Sequence, residues 1–219
     1  MMKEINLQDL KIFKKNSVYR ISDVVRGAGN RWEQDRETIL TDPLYRDSIL
    51  CDYLKLKKQK IDYECLKSVI KIHTLKKKYK VPAPKELVFH LRLGDYLDHP
   101  SEVAKTFRLY ENFFKKEAFD FRFSRVTVVT ALHFGHDDTT ERVKYLYTEK
   151  AKSNSLKLLK NVEQEVNQLG YSLHLYSNEN IDKDFCYLVN SKFLAQGHRG
   201  FSSLAAKCLD EDCTSYKLT

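Results

Sequence analysis

A doubly wound α/β fold, preceded by a small and mostly helical region, is the architecture this sequence predicts. From Leu87 onward, short apolar runs alternate with longer stretches of helical spacing, the pattern of a parallel sheet covered on both faces. One of those runs, Val126-Thr127-Val128-Val129-Thr130, is β-branched almost throughout, which suits a strand buried on both sides. Ahead of Val81-Pro82-Ala83-Pro84 the apolar residues instead recur at helical intervals. The expected division is therefore a reduced helical region over 1–84 and an α/β domain over 85–219.

Taken in order, residues 1–50 are weakly patterned. A short strand is expected within Val18–Val25, and Gly27-Ala28-Gly29-Asn30 reads as a glycine turn. Residues 44–80 are helical in character. Ile49, Leu50, Tyr53 and Leu54 form one apolar face, and Leu66, Val69, Ile70, His73 and Leu75 suggest another. His73, set among apolar residues, reads as a semi-buried histidine. The prolines at 82 and 84 end this region. A strand is expected over 86–92, a helix over Leu109–Ala118 and a strand over Arg125–Leu132. A long helix follows over 140–168 with Gly170 as its cap, then a strand over Tyr171–Tyr176. A short helix beginning at Asp184, a strand over Asn190–Leu194 and a helix opening at Ser202 or Ser203 complete the alternation.

Composition narrows the class. The 219 residues suffice for a sizeable core, and 42% apolar with 12% aromatic content is globular. No stretch approaches the ~20 apolar residues of a membrane span, and the N-terminus lacks the apolar centre of a signal peptide. A cytoplasmic location is the expectation. Five cysteines at wide spacing do not read as a disulfide framework. Cys186 and Cys208 sit in apolar patterns and read as buried thiols, and Cys208 with Cys213 lacks the spacing of a zinc site. The net charge of +8 is concentrated in lysine clusters at 55–60 and 76–80. With no nucleic-acid module beside them, these read as solvated helix faces, and nucleic acid is not the expected partner.

Two segments carry the chemistry. Val88-Phe89-His90-Leu91-Arg92-Leu93-Gly94-Asp95-Tyr96 starts as a strand and ends in a Gly-Asp turn. Side chains two apart share a strand face, so His90 and Arg92 should point the same way. Open α/β sheets bind ligands beyond the carboxyl ends of their strands, and a guanidinium grips phosphate through paired hydrogen bonds. The alternative is an ordinary polar strand end. The second segment, Gly197-His198-Arg199-Gly200-Phe201-Ser202-Ser203, has glycines that admit a phosphate to backbone N–H groups at a helix start. Ser202 and Ser203 can add hydroxyls and Arg199 charge. The competing role for the serines is helix capping.

Together the two segments resemble the fucosyltransferase-like glycosyltransferases. That group shares a His-x-Arg-x-x-Asp-Tyr motif, matched here by His90, Arg92, Asp95 and Tyr96. Much later it has an Asp, a short strand and a Phe-Ser before a helix, matched by Asp184, Val189–Leu194 and Phe201-Ser202. Leu93 stands where many members carry a second arginine. The resemblance covers about residues 86–209. It implies a Rossmann-like, GT-B-type nucleotide-binding half and an inverting, metal-independent transfer of a sugar to a glycan or protein hydroxyl. No cofactor is implied beyond the nucleotide-sugar donor, GDP-fucose being the expected one.

The roles it implies are specific. Arg92 contacts the diphosphate, and His90 holds the nucleotide or orients Arg92. Donor-binding residues are then His90, Arg92, Asp184, Gly197, Arg199, Gly200, Phe201, Ser202 and Ser203, with Asp184 at the base or ribose. Asp95 is expected to lock Arg92 or to bond the turn, since a carboxylate beside a phosphate costs Coulomb energy. For the acceptor's proton, His133 and His136 lie in a loop at the right end of the sheet, beside Asp137 and Asp138. A polar loop, or a metal site built on the two histidines and Asp137, are the other readings of that loop, and no metal is expected. The competing function is a non-catalytic nucleotide- or nucleic-acid-binding protein that keeps the fold.

Overall fold

The computed structural model describes residues 10, 12–13, 32–56, 62–115, 123–133, 148–178, 180–197 and 200–218. In chain order its elements are β1 (Ile12–Phe13), α1 (Trp32–Thr41), α2 (Ile49–Leu56), α3 (Tyr63–Lys77), β2 (Glu86–His90), β3 (Leu93–Gly94) and α4 (Pro100–Lys115). Then come β4 (Arg125–Val129), β5 (Leu132–His133), α5 (Glu149–Gln168), β6 (Leu173–Tyr176), α6 (Ile181–Val189), β7 (Phe193–Gln196), α7 (Gly200–Lys207) and β8 (Thr214–Lys217). Single 3-10 turns occupy Pro43–Tyr45 and Asp95–Asp98.

Five strands form one all-parallel sheet in the order β6-β4-β2-β7-β8. The chain lays strands outward from β2 on one side, then returns to add β7 and β8 on the other. The reversal falls between β2 and β7, paired through Val88 and Leu194, which is where open α/β sheets bind ligands. This is the Rossmann-like α/β fold that the strand-helix alternation predicts.

Alternation along β2 builds both faces. Leu87 and Phe89 point into a core with Tyr110 and Phe114 of α4 and Leu158, Leu159, Val162 and Val166 of α5. Val88, with Val129 and Leu194, points the other way. There it meets Ile49, Leu50, Tyr53 and Leu54 of α2, Leu66 and Ile70 of α3, and Phe185 and Leu188 of α6. Helices α1 to α3 thus cover the same sheet face as α6 and α7. The boundary at 84/85 separates kinds of element, while the core runs across it.

Local chemistry sets several ends. Asp62 caps α3 by accepting from the Cys65 amide at 2.9 Å, and Lys78 closes it in the left-handed region at φ 52°. Thr148 caps α5 through the Ala151 amide at 3.1 Å, and Gly170, at φ 83°, turns the chain out of it. Helix α4 begins at Pro100, well ahead of the expected Leu109, because proline is favoured at the first helical position. Helix α5 begins at Glu149; the part of the expected helix before Thr148 lies outside the described residues, as do the Val18–Val25 strand and the Gly27–Asn30 turn. Strand β8 was not anticipated.

Strands β2 and β4 both break where they leave the main sheet. After Leu91-Arg92 and Thr130-Ala131 they resume as β3 and β5, which pair with each other and with β1 in the order β1-β5-β3. The Leu91 amide bonds the Val129 carbonyl at 3.0 Å, and the Thr130 hydroxyl donates to the Leu91 carbonyl at 2.6 Å. The break places Arg92 between two short strands, at the carboxyl edge of the sheet. No helix among the described residues is long and apolar enough to cross a membrane.

Candidate anion-binding site at the carboxyl edge of the sheet

His90 is the last residue of β2 and is held from both sides. Its carbonyl accepts from the Tyr110 hydroxyl at 2.7 Å, and its ring packs on Phe201 at 5.2 Å between centroids. Burial, with the charge of Arg92 added, pushes its imidazole down to about 3, so it is neutral near pH 7. Such a ring offers one donor and one acceptor, and it is a poor proton acceptor.

Gly197, at the end of β7, closes against the same strand end. A Cβ there would lie 2.1 Å from the His90 carbonyl oxygen and 3.1 Å from His90 Nδ1. Only glycine allows β2 and β7 to approach this closely at the switch point. Gly197 therefore serves strand packing directly.

Arg92 points its guanidinium at Asp95. Its Nη2 donates to Asp95 Oδ1 at 2.8 Å, with the Arg92 side chain 29% exposed and that of Asp95 1% exposed. The turn after β3 thus supplies the rotamer lock expected of Asp95. Three buried polar atoms in this short stretch have no hydrogen-bond partner among the described residues: His90 Nδ1, Arg92 Nε and Asp95 Oδ2. Native interiors leave few such atoms unpaired, and each calls for an explanation.

Asp184 lies in the first half of α6. Asn178, just past β6, donates to its Oδ1 at 2.6 Å. Burial raises the Asp184 carboxyl well above the usual range, with Asn178 and Lys183 opposing the shift. Asn178 is a partner that the sequence analysis did not single out; its position just beyond a strand's carboxyl end was the available signal. Two residues before Asp184, Asp182 accepts from the amide of Ile49 at the start of α2 at 3.1 Å. Behind it, His73 is buried between Asp52, 3.5 Å from Nδ1, and Asp182, 3.9 Å from Nε2, in keeping with its reading as an interior histidine.

The second expected cradle divides. Gly200 begins α7, and Phe201 backs the His90 ring. Ser202 is fully buried and donates its hydroxyl to the Gly197 carbonyl at 3.0 Å. That bond ties the start of α7 to the end of β7. Ser203 is half-buried on the following position. Arg199 and His136 lie outside the described residues, together with Asp137 and Asp138. The backbone of His133 pairs in β5 with Gly94 and Phe13. Among the described residues no three His, Cys, Asp or Glu side chains converge as a metal site. None of the five cysteines forms a disulfide, and Cys186 and Cys208 are buried as expected.

Compared with protein-family models, with curated proteins and with solved structures, the chain gives no significant match.

Proposed function

We propose that this protein is a nucleotide-sugar-dependent glycosyltransferase of the fucosyltransferase-like kind, with GDP-fucose as donor and a glycan or protein hydroxyl as acceptor. The observation that carries the reading is the pair of buried nitrogens, His90 Nδ1 and Arg92 Nε, with no partner among the described residues at the switch point of a parallel sheet. A diphosphate there would supply acceptors for Arg92 Nε and for an N–H of His90. The Asp95 lock presents the guanidinium ready-oriented, which is how an electrostatic catalyst avoids reorganising during reaction.

In the proposed transfer, the acceptor oxygen attacks the anomeric carbon as the bond to the diphosphate breaks. The electron pair of that bond leaves on the diphosphate, and Arg92 stabilises the charge. The acceptor's proton passes to His133, His136 or the departing phosphate. Inversion follows from a single displacement. The backbone N–H groups at the start of α7 assist the phosphates, and Asp184 with Asn178 faces the base or ribose. The mechanism requires no metal.

Calorimetric titration with GDP, UDP and ATP tests the donor. GDP is expected to bind more tightly than the other two, and Arg92→Lys to weaken it about tenfold or more, since an ammonium keeps the charge for Asp95 but loses the fork. Equal affinity for UDP would remove the guanine assignment. Absence of binding by all three would overturn the donor reading itself.

A further inference from the structure

Helix α3 is apolar on two sides. Its inner side, Leu66, Val69 and Ile70, is buried against the sheet-covering core. On its outer side Ile72 and Leu75, one turn apart, stand 64% and 79% exposed. Val81, a few residues past the helix end, is 47% exposed. Large aliphatic side chains scattered singly on a surface need no explanation, but neighbours on one outward helix face do.

The surroundings of this patch are basic. Residues 71–85 hold six lysines and no acid. Lys71 pairs with Asp210 at 2.7 Å and Lys77 with Asp47 at 3.4 Å. Lys76, Lys78 and Lys80 are exposed, and among the described residues no carboxylate lies within ion-pair distance of them. Lys76 shares the outer face with Ile72 and Leu75, since residues three and four apart are neighbours on a helix. The left-handed cap at Lys78 then carries Lys80 and Val81 on from the same end.

From this pairing of exposed aliphatics with unpaired lysines we infer that the outer face of α3 docks on an anionic lipid surface. A bilayer interface supplies both halves of the complement at once: acidic headgroups for the lysines and an acyl boundary for Ile72, Leu75 and Val81. A second copy of this chain is a poor occupant, because self-complementary contact would set the lysine clusters against one another. Nucleic acid would use the lysines but leave the aliphatics unmatched, and Tyr79, the aromatic nearest this end, is engaged with His73 and Lys183. The inference stands apart from the proposed transferase reaction and is read without it.

Flotation of the full chain with vesicles tests it. Partition onto phosphatidylcholine vesicles containing phosphatidylserine is expected to exceed that onto phosphatidylcholine alone by about tenfold or more, and to fall as salt rises. The triple variant Lys76→Gln/Lys78→Gln/Lys80→Gln should lower it about a hundredfold, near fivefold per lysine. Ile72→Ser/Leu75→Ser should lower it about tenfold or more while retaining every charge. All five positions are exposed, so both variants keep the core intact. Equal partition with and without phosphatidylserine overturns the inference, as does partition unchanged by the Ile72/Leu75 pair. Failure to float with either vesicle, alongside binding of an oligonucleotide that depends on the lysines alone, would assign the face to nucleic acid and overturn it too.

Discussion

At the amino end of β2, Glu86 is fully buried and both oxygens of its carboxylate are hydrogen-bonded. It accepts from Arg125 through Nε at 3.1 Å and also through Nη2, from the Tyr187 hydroxyl at 2.5 Å and from the Ala83 amide at 3.0 Å. At the carboxyl end of the same strand, His90, Arg92 and nearby Asp95 each keep a buried polar atom with no hydrogen-bond partner among the described residues. Burial alone would push Glu86 up. The polar groups of Thr127, Tyr187, Arg125 and Ala83 more than reverse it and hold the carboxyl below its usual range. At the other end nothing reverses burial, and His90 stays depressed. The same strand thus carries a hydrogen-bonded charge cluster at one end and, at the other, buried polar atoms with no partner among the described residues. Satisfaction of hydrogen bonds, more than the presence of charge, separates the two ends.

The largest effect expected from this contrast is at the completed end. Glu86→Ala should cost about 3–5 kcal/mol in a urea or guanidinium titration, because it leaves Arg125 and Tyr187 without their shared partner. It should leave nucleotide affinity in the folded fraction unchanged. A cost below about 1 kcal/mol would show that the network is not the anchor its geometry describes.

The next effect is a slope. His90 is depressed in the folded chain relative to its ordinary value of 6.5, so the unfolded chain binds the extra proton between the two. Its contribution is complete above pH 6.5 and is lost as pH falls toward 3, by at most roughly 1.4 kcal/mol per pH unit. His90→Gln should flatten the stability curve between pH 6.5 and 4.5. Superimposable curves for parent and variant would mean that the ring gains a proton without penalty. A nucleotide that bonds the ring should alter the same slope.

The smallest effect has the opposite sign. Asp184 is raised by burial, so its stabilising contribution is present below the unfolded carboxyl value and is lost as pH rises through the folded one. Above that value the ionised group is a liability. Asp184→Asn should therefore raise stability at pH 7 to 8 by about 1 kcal/mol, with the gain vanishing in acid. A loss at neutral pH would show that Asn178 and Lys183 already compensate the charge. If the proposed donor role is right, the same variant binds GDP less well, so stability and affinity move in opposite directions.

The two ends of β2 were not equally legible in the sequence. His90, Arg92 and Asp95 stood out because polar residues interrupt an apolar run at a Gly-Asp turn, and the Arg92–Asp95 pair follows from that spacing. Glu86, at the mouth of the same run, looked like an ordinary strand-leading acid. Its partners Arg125 and Tyr187 come from β4 and α6, and only strand order brings them to it. The sheet itself was legible through β7, because β-branched runs and helical spacing are local signals. Strand β8, Thr-Ser-Tyr-Lys, was not, since an exposed edge strand needs no apolar alternation. The inward turn of Ser202 was equally hidden. A serine at a helix start reads alike whether its hydroxyl faces a ligand or a neighbouring carbonyl.

The bond from the Ile49 amide to Asp182 bears on portability. Asp182 and Asp184 occupy one turn of α6; the first is tied to the leading helices and the second to Asn178 beyond β6. A graft or natural recombination that carried residues 85–219 into another protein would sever the first tie, expose the apolar face that α2 and α3 cover, and leave the turn bearing Asp184 without its brace. The leading helices and the α/β part are therefore expected to be inherited as one unit, and substitutions in α2 to register at the turn of α6 that carries Asp184.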